Sequence, residues 1–131
     1  MLIEEVIYDV LSNSTELSNI FGANIFPLVG SEGKPLPILL YQINQVDVNH
    51  TKTSKSLQDG YLLKINVFSE DYKQVIDAVK ILKELLDFKS FTDEEDNVII
   101  DLVRFSSYTD EFEESSEVYF RNINFELLTF N

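Results

Sequence analysis

The chain has 131 residues, 44% of them hydrophobic, and a formal net charge of −13 from 10 basic and 23 acidic residues. This composition excludes a disordered chain, and the length favours one domain over residues 1–131 that buries a core without cross-links. The absence of cysteine excludes disulfides, thiolate metal sites and a cysteine nucleophile, and it fits a reducing cytoplasm.

The negative charge argues against nucleic-acid binding by this chain alone, because an acidic surface repels phosphate. Two interpretations of the charge remain open. It serves solubility, or the repulsion has a purpose, as in a channel wall that DNA slides past or in a mimic of DNA. No basic segment precedes a long apolar run, and no apolar stretch approaches the roughly 18–20 residues of a membrane span. We therefore expect neither a signal peptide nor a membrane segment.

Two short helices are predicted at the start of the chain. Apolar residues recur at helical spacing over Leu2–Leu11, which is typical of an amphipathic helix. Asn13 is followed three residues later by Glu16, a pair that resembles a capping box. This pair predicts a second helix with Asn13 as its N-cap, running through Ile20 and stopping at Gly22.

Extended segments follow the two helices. Ile25–Leu28 is predicted as a short strand, which Pro27 confines to a sheet edge or a strand end. Ile38–Gln45 and Tyr61–Phe68 alternate apolar and polar residues and are predicted as partner strands. The polar segment Val46–Ser56 between them is either a mobile loop or the tip of a long hairpin.

The hydrophobic period changes from two to about 3.6 residues after the second of these strands. Apolar residues then recur at three- and four-residue steps, which predicts an amphipathic helix from about Asp71 to Phe88. Lys83 lies inside its apolar stripe, where its stem can pack while its ammonium group reaches water. Ile81 projects from the polar side. The predicted stripe consists of Tyr72, Val75, Ile76, Val79, Leu82 and Leu86.

The end of the chain is predicted to be a hairpin. Val98–Tyr108 and Val118–Phe130 read as strands, joined by an acidic turn over Asp110–Glu117. Arg121 interrupts the apolar face of the last strand. The element order α, α, β, β, β, α, β, β favours an α+β fold, with a mostly antiparallel sheet and helices packed on one face.

The sequence predicts no catalytic, cofactor-binding or metal site. His50 is interpreted as a surface residue in a polar loop, against the alternatives of a metal ligand or a general base. The acidic run Asp93–Asp96 is interpreted as a solvated turn, against the alternative of a hard-cation site. Four consecutive acids point in different directions and lack the spacing of a calcium loop. The few scattered glycines do not form a phosphate loop.

The candidate interface lies in and beside the second acidic turn. Its three aromatic residues either fill the core of the sheet or emerge from a charged surface to anchor a partner, and the sequence leaves both interpretations open. The candidate residues are Tyr108, Asp110, Glu111, Phe112, Glu113, Glu114 and Tyr119.

Several passages of the chain occur in an order that points to one family. They are Ile3–Leu11, Leu17–Phe21, Asn24-Ile25-Phe26-Pro27, Leu36–Gln42, Asp59-Gly60 leading into Tyr61–Phe68, Tyr72 at the start of a helix, and a closing strand pair. In this order they resemble the tail-completion proteins of long-tailed phages, which include the lambda tail terminator and the tail-to-head joining proteins. The match covers nearly the whole chain, although the chain is more acidic than the mixed composition of the family.

The resemblance implies a structural protein of a virion or prophage, and no enzyme. It implies a hexameric ring that caps the tail tube, joins tail to head and contacts the tail tube protein and the head connector protein. DNA would pass through the lumen without tight binding, and the protein would reside in the virion tail after assembly in the host cytoplasm. No membrane partner is implied.

Two competing hypotheses come from the residues themselves. The net charge and the aromatics near Asp110–Glu117 also fit an acidic inhibitor or immunity protein that blocks the basic site of a nuclease. A small enzyme is the third reading, but the sequence offers no convergent polar groups at a recognisable spacing.

Overall fold

The computed structural model describes residues 2–27, 35–48 and 58–130, with backbone alone for 46–48 and 58. Three helices and seven strands lie within these ranges. In chain order they are α1 (Ile3–Ser12), α2 (Thr15–Phe21), β1 (Ile25–Pro27), β2 (Ile38–Val48), β3 (Gln58–Ser69), α3 (Tyr72–Leu86), β4 (Phe91–Thr92), β5 (Val98–Ile100), β6 (Leu102–Glu113) and β7 (Val118–Phe130).

The second helix exists as predicted, but its N-cap is displaced by one residue. Ser14 caps α2, and its hydroxyl accepts a hydrogen bond from the N–H of Leu17 at 3.2 Å. The prediction of Asn13 as the cap is wrong. Asn13 still ends α1, since its N–H donates to the carbonyl of Asp9, and its backbone is not in the extended conformation that an N-cap requires. Gly22 terminates α2 at a positive φ of 59°, as predicted.

Within the described residues, the main sheet has five strands in the order β1-β2-β3-β7-β6. The α+β class is confirmed, and the fold is rich in strand. The sheet is mixed, because β1 runs parallel to β2 while the other three pairings are antiparallel. Pro27 ends the three-residue edge strand, which agrees with the predicted edge position.

One apolar cluster holds the helices against the sheet. The central strands bury alternate residues on one face, and all three helices contribute side chains to the same cluster. Burial of a large apolar side chain contributes about 1.5–3 kcal/mol, so this contact is the main source of stability. The fully buried members are Ile7, Leu11, Leu17, Leu39, Leu63, Ile65, Val67, Ala78, Leu82, Leu86, Ile100, Val103, Ile123, Phe125 and Leu127.

The buried stripe of α3 differs from the predicted one at its start. Ile76 is 42% exposed and Tyr72 is 39% exposed, whereas Ala78 is fully buried. Ile76 lies about 100° around the helix from buried Val75, on the side away from Ala78, so it cannot share the core-facing stripe. The placement of Ile76 in that stripe is therefore wrong, and Tyr72, at the start of the helix, is only partly covered.

Two further residues of α3 were singled out by the sequence. Lys83 is exposed, as expected, and its ammonium group lies 4.5 Å from the ring centroid of Phe105. Ile81, predicted on the polar side, is partly buried and packs against the core.

The predicted strand Val98–Tyr108 is divided in two. β5 pairs with β4 in a small separate sheet, and β6 starts after Asp101. The N–H of Asp101 donates to the carbonyl of Leu128 at 2.9 Å, and its carboxylate accepts the N–H of Phe130 at 2.7 Å. Asp101 therefore joins this corner of the chain to the end of β7.

β6 runs further than the sequence indicates. It pairs with β7 as far as Glu113 opposite Val118, so Asp110–Glu113 belong to a strand and the turn is confined to residues 114–117. The prediction that the turn begins at Asp110 is wrong in this respect. Acidic residues are poor strand formers, but here they lie in an exposed edge strand, where pairing with β7 overrides local propensity.

Residues that follow α3 close the first part of the outer edge of β6. The N–H of Phe88 donates to the carbonyl of Val103 at 2.7 Å, and the N–H of Val103 donates to the carbonyl of Lys89 at 2.9 Å. The carboxylate of Asp87 then accepts the N–H of Phe105 at 2.7 Å.

The connection between β2 and β3 is described only in part. β2 continues to Val48, which pairs with Asp59 of β3. The rest of the predicted segment Val46–Ser56, including His50, lies outside the described residues.

Candidate protein interface

The candidate interface lies at the β6–β7 end of the sheet. In β7, Tyr119 and Arg121 continue the alternation that places residues on the core-facing side. β6 pairs Asp110 with Arg121 and Phe112 with Tyr119, and Tyr108 lies two residues before Asp110. Paired residues of antiparallel strands project to the same side, so these five side chains share one face.

A β-bulge at Ser106 decides which residues of β6 take part. Phe105 pairs with Phe125, and Ser107 pairs with the adjacent residue of β7, which leaves Ser106 without a partner in the ladder. The extra residue resets the two-residue alternation. Tyr108 therefore lies on the same face as Phe105, although three positions separate them in the chain.

An ion pair occupies the centre of this face. Arg121 Nε donates to Asp110 Oδ1, and Arg121 Nη2 donates to Oδ2 at 2.7 Å, so the pair is bidentate. The side chain of Arg121 is 7% exposed and that of Asp110 is 39% exposed. Tyr72, the first residue of α3, donates its hydroxyl to Asp110 Oδ2 at 2.6 Å and accepts from Arg121 Nη2 at 3.2 Å. The cluster thus connects α3 to the hairpin.

The hydrogen bonds of this cluster keep the pair ionised. The guanidinium of Arg121 holds the pKa of Asp110 below its ordinary value, chiefly through donated hydrogen bonds. The Asp110 carboxylate in turn raises the pKa of Arg121 and of the Tyr72 hydroxyl, chiefly through hydrogen bonding. None of these shifts brings a proton transfer toward neutral pH, where a general acid or base operates. The cluster is suited to holding a shape and a charge.

The rings around the ion pair form a continuous aromatic patch, made of Tyr72, Tyr108, Phe112 and Tyr119. The Arg121 guanidinium lies 4.2 Å from the ring centroid of Tyr108. The rings of Phe112 and Tyr119 have centroids 4.7 Å apart, and those of Tyr119 and Tyr72 are 5.1 Å apart. These are favourable distances for ring contacts and for a cation over a ring.

The two readings of the aromatic residues, core or anchor, each apply to part of the set. Tyr108 is 48% exposed and Phe112 is 46% exposed, so about half of each side chain faces solvent. Tyr119 is partly buried and packs against the core. Ile76, one helical turn from Tyr72, adds an exposed apolar side chain beside the aromatic patch.

The predicted acidic residues separate into different positions. Asp110 joins the aromatic patch through its ion pair. Glu111 and Glu113 alternate to the other face of the sheet, and Glu114 lies in the turn. The structure therefore gathers four of the seven candidate residues on one face and places two on the opposite face and one in the turn.

Sequence reasoning missed Tyr72 and Arg121 as members of the site. A signal for Arg121 was present, since it stands at a core-facing position of an apolar strand and a cation there needs a carboxylate partner. The partner was not identifiable, because the register of Asp110 depends on the bulge at Ser106. Nothing in the sequence indicated that the hydroxyl of Tyr72 reaches across to the hairpin.

The first acidic run, Asp93–Asp96, forms a turn that is held by its own hydrogen bonds. The carboxylate of Asp93 accepts the N–H of Glu95 at 2.8 Å and that of Asn97 at 2.9 Å, and the hydrogen bond from Asn97 lowers the pKa of Asp93. In the part of the chain that the structure describes, no group of three or more acidic or histidine side chains is placed to hold a metal ion. Over the same residues, no helix combines the length and apolarity needed to cross a bilayer.

The comparisons with known proteins show a similarity of fold only. No family model matches the chain, and no curated protein matches it. Among solved structures, it is similar to a chain described as part of the virion of a native gene transfer agent particle. That match has a TM-score of 0.78 and 11% identity, and it covers 99% of this chain and 96% of the other. A crystal structure from Akkermansia muciniphila matches at a TM-score of 0.37 with 13% identity, over 70% of this chain and 42% of that one, which is too low to indicate a common fold.

Proposed function

We propose that this protein is a structural subunit of a phage-like particle, where it forms a ring that caps the tail tube and joins the tail to the head. The observation that carries the proposal is the fold. It is similar, over almost the full length of both chains, to a chain of a gene transfer agent virion. The order of the sequence passages that resemble phage tail-completion proteins supports the finer assignment to a tail terminator.

The aromatic patch provides one side of the contact between subunits. A closed ring needs a heterologous interface, in which one surface of a subunit meets a different surface of the next. Tyr108 and Phe112 present half-exposed rings. Tyr108 packs on the buried Arg121 and Phe112 on Tyr119, and the exposed Glu114 lies in the adjoining turn. Rigid aromatic groups within a polar rim are typical of the residues that dominate binding energy.

The remaining features of the proposal follow from the resemblance and the charge. The ring is hexameric, lies in the virion tail after assembly in the host cytoplasm, and contacts the tail tube protein and the head connector protein. The net charge of −13 prevents DNA in the lumen from adhering to the wall. In this role the chain acts as one domain and as a structural protein, not an enzyme, which is what the resemblance to tail-completion proteins implies.

A pair of matched substitutions tests the patch. Phe112→Ser removes a half-exposed ring from the patch, whereas Phe130→Ser removes a 58% exposed ring from the far end of β7. Phe130 and Tyr119 lie roughly 36 Å apart along the strand. We expect the wild type and Phe130→Ser to form rings of one diameter in electron micrographs. Phe112→Ser should need at least about tenfold more protein to assemble, which corresponds to the loss of a moderate hot spot.

Sedimentation across a range of concentrations, with and without divalent cation, gives the assembly midpoints. A wild-type protein that stays monomeric throughout would contradict the ring. Equal effects of the two substitutions would contradict the role of the patch. A monomer that inhibits a basic nuclease tightly would favour the inhibitor hypothesis.

A further inference from the structure

A concave surface lies at the other edge of the sheet, between α1 and β2. It is a groove of about 700 Å³. Its apolar surface comes from Tyr8, Pro27, Tyr41 and Ile43, and it is continuous with the polar side chains of Gln42 and Asn44. The full lining is Glu4, Glu5, Tyr8, Asp9, Pro27, Tyr41, Gln42, Ile43 and Asn44.

The charged side chains that line this groove are all negative. Glu4, Glu5 and Asp9 project from α1 along its rim, and none of the described residues that line it is basic. Tyr8 is 45% exposed between them, so an apolar ring stands among three carboxylates. Such a surface suits a lysine or arginine side chain, whose apolar stem packs on a ring while its charged end reaches a carboxylate.

The backbone of β2 adds hydrogen-bonding capacity to the groove. The N–H of Leu39 donates outward to the carbonyl of Asn24 at 2.9 Å. N–H groups alternate in direction along a strand, so the N–H of Ile43 points to the same side, away from β3. β1 ends at Pro27, opposite Tyr41. Among the described residues, no strand lies beside Ile43 on this side.

We propose that the groove binds an extended segment of another protein, with basic residues at every second position, as an added strand beside β2. The main chain of the segment pairs with Ile43, in the mode by which peptides extend an exposed sheet edge. Every second side chain of the added strand projects toward α1, where Glu4 and Asp9 receive its charged ends. The inference goes beyond the ring and does not depend on it.

The sequence indicates that the bound segment does not come from a second copy of this chain. A strand that directs two basic residues to one face must place them two or four positions apart. None of the ten basic residues of this chain is two or four positions from another. A copy therefore cannot supply the alternation that the acidic rim of the groove selects.

A designed peptide tests the groove directly. In the probe, lysine alternates with threonine; in the control peptide, of the same composition, the lysines are consecutive. We expect the alternating peptide to bind more tightly than the control and to slow hydrogen exchange in the fragment that contains Ile43. Its binding should weaken as ionic strength rises, because the charges are partly exposed.

A matched pair of protein variants distinguishes binding in the groove from non-specific attraction of a basic peptide to an acidic protein. The double variant E4Q/D9N removes two carboxylates from the groove. The double variant E94Q/D96N removes two exposed carboxylates from the turn between β4 and β5, where asparagine tolerates the positive φ of Asp96.

We expect E4Q/D9N to weaken binding about fivefold, from two partly exposed charge pairs, and E94Q/D96N to leave it within about twofold. Equal weakening by both variants would overturn the proposal, as would equal binding of the two peptides. Binding without protection of the Ile43 fragment would also overturn it. Because binding is measured per subunit, these outcomes are independent of whether the ring forms.

Discussion

At the scale of single residues, Arg121 is the centre of the candidate interface, because Asp110 and Tyr108 both contact it. Its side chain is almost completely buried, and its charge is balanced by Asp110 and covered by the ring of Tyr108. Loss of one partner from a buried ion pair is costly, because the remaining charge keeps its desolvation cost without compensation. Here the cost is reduced, since the carboxylate of Asp110 is 39% exposed and water screens part of the interaction.

We expect Asp110→Asn to lower the free energy of unfolding by about 1–2 kcal/mol at neutral pH, because an amide cannot balance the guanidinium. The effect depends on pH. The pKa of Asp110 is lowered in the folded state, and the unfolded value is about 3.9. The unfolded chain therefore takes up the proton first as the pH falls. The contribution is complete above about pH 5 and is lost as the pH falls through the folded pKa.

Urea unfolding of the wild type and Asp110→Asn, over a series of pH values, measures this difference directly. The two free energies of unfolding should be furthest apart at neutral pH, begin to converge below about pH 4, and meet below the lowered pKa of Asp110 in the folded state. A difference that stays constant with pH would show that the substitution acts through packing and not through charge. The comparison between the two proteins cancels the general effect of acid on a strongly negative chain.

At the scale of elements, the bulge in β6 determines which side chains reach the interface. Ser106 is the residue without a partner, and it allows Phe105 and Tyr108 to share a face. A regular strand of the same sequence would send Tyr108, Asp110 and Phe112 to the side opposite Phe105.

Two single-residue deletions test this role. Deletion of Ser106 leaves a regular strand with every pairing intact, so we expect a loss of less than about 1 kcal/mol in the free energy of unfolding. Deletion of Thr109 forces either Tyr108 or the pair Asp110 and Phe112 off the core-facing side. That loss should exceed about 2 kcal/mol, because Arg121 or its aromatic cover is then removed.

Urea unfolding separates the two deletions, and both residues are exposed positions of the same strand. If deletion of Ser106 proved as damaging as deletion of Thr109, the bulge would be needed for the fold itself. The assignment of the bulge to the positioning of the interface would then be wrong.

Hydrophobic period was enough to predict the elements but not their register. The strands Tyr61–Phe68 and Val118–Phe130 and the helix after Ser69 follow directly from alternation and from three- and four-residue steps. The division at Asp101 and the extension of β6 to Glu113 do not, because both depend on pairing with β7. Period describes one element at a time, whereas register is a property of two.

For the candidate site, too, the local composition was predictable from the sequence, but the contacts between distant residues were not. The sequence indicated aromatic residues beside acids near residues 108–119, and the structure gathers four of these residues on one face. It could not indicate the contact of Tyr72 with Asp110, which joins residues 38 positions apart. Contacts at such a distance in the chain are fixed by the packing of α3 on the sheet.

At the scale of the whole molecule, assembly must overcome repulsion between like charges. Each subunit carries a net charge of −13, so subunits repel one another before the aromatic patch comes into contact. Salt screens this repulsion, since the Debye length falls from about 30 Å at 0.01 M to about 8 Å at 0.15 M ionic strength.

We therefore expect the ring to form at several-fold lower protein concentration when ionic strength is raised over that range. Sedimentation of the wild type at each salt concentration gives the midpoint, and Phe112→Ser provides the variant with a weakened contact. Dissociation of the ring by salt would contradict the prediction, because it would show that opposite charges, and not the aromatic patch, hold the subunits together.

The segment after α3 bears on how the protein avoids uncontrolled polymerisation. The N–H of Phe88 and the carbonyl of Lys89 form hydrogen bonds with the outward-facing main-chain groups of Val103. The carboxylate of Asp87 accepts the N–H of Phe105. A stray strand from an unfolded or neighbouring chain therefore finds these three main-chain groups of β6 already paired. Amyloid-like stacking on this margin is thereby restricted to the half beyond the bulge, where alternate acidic side chains oppose a second acidic strand.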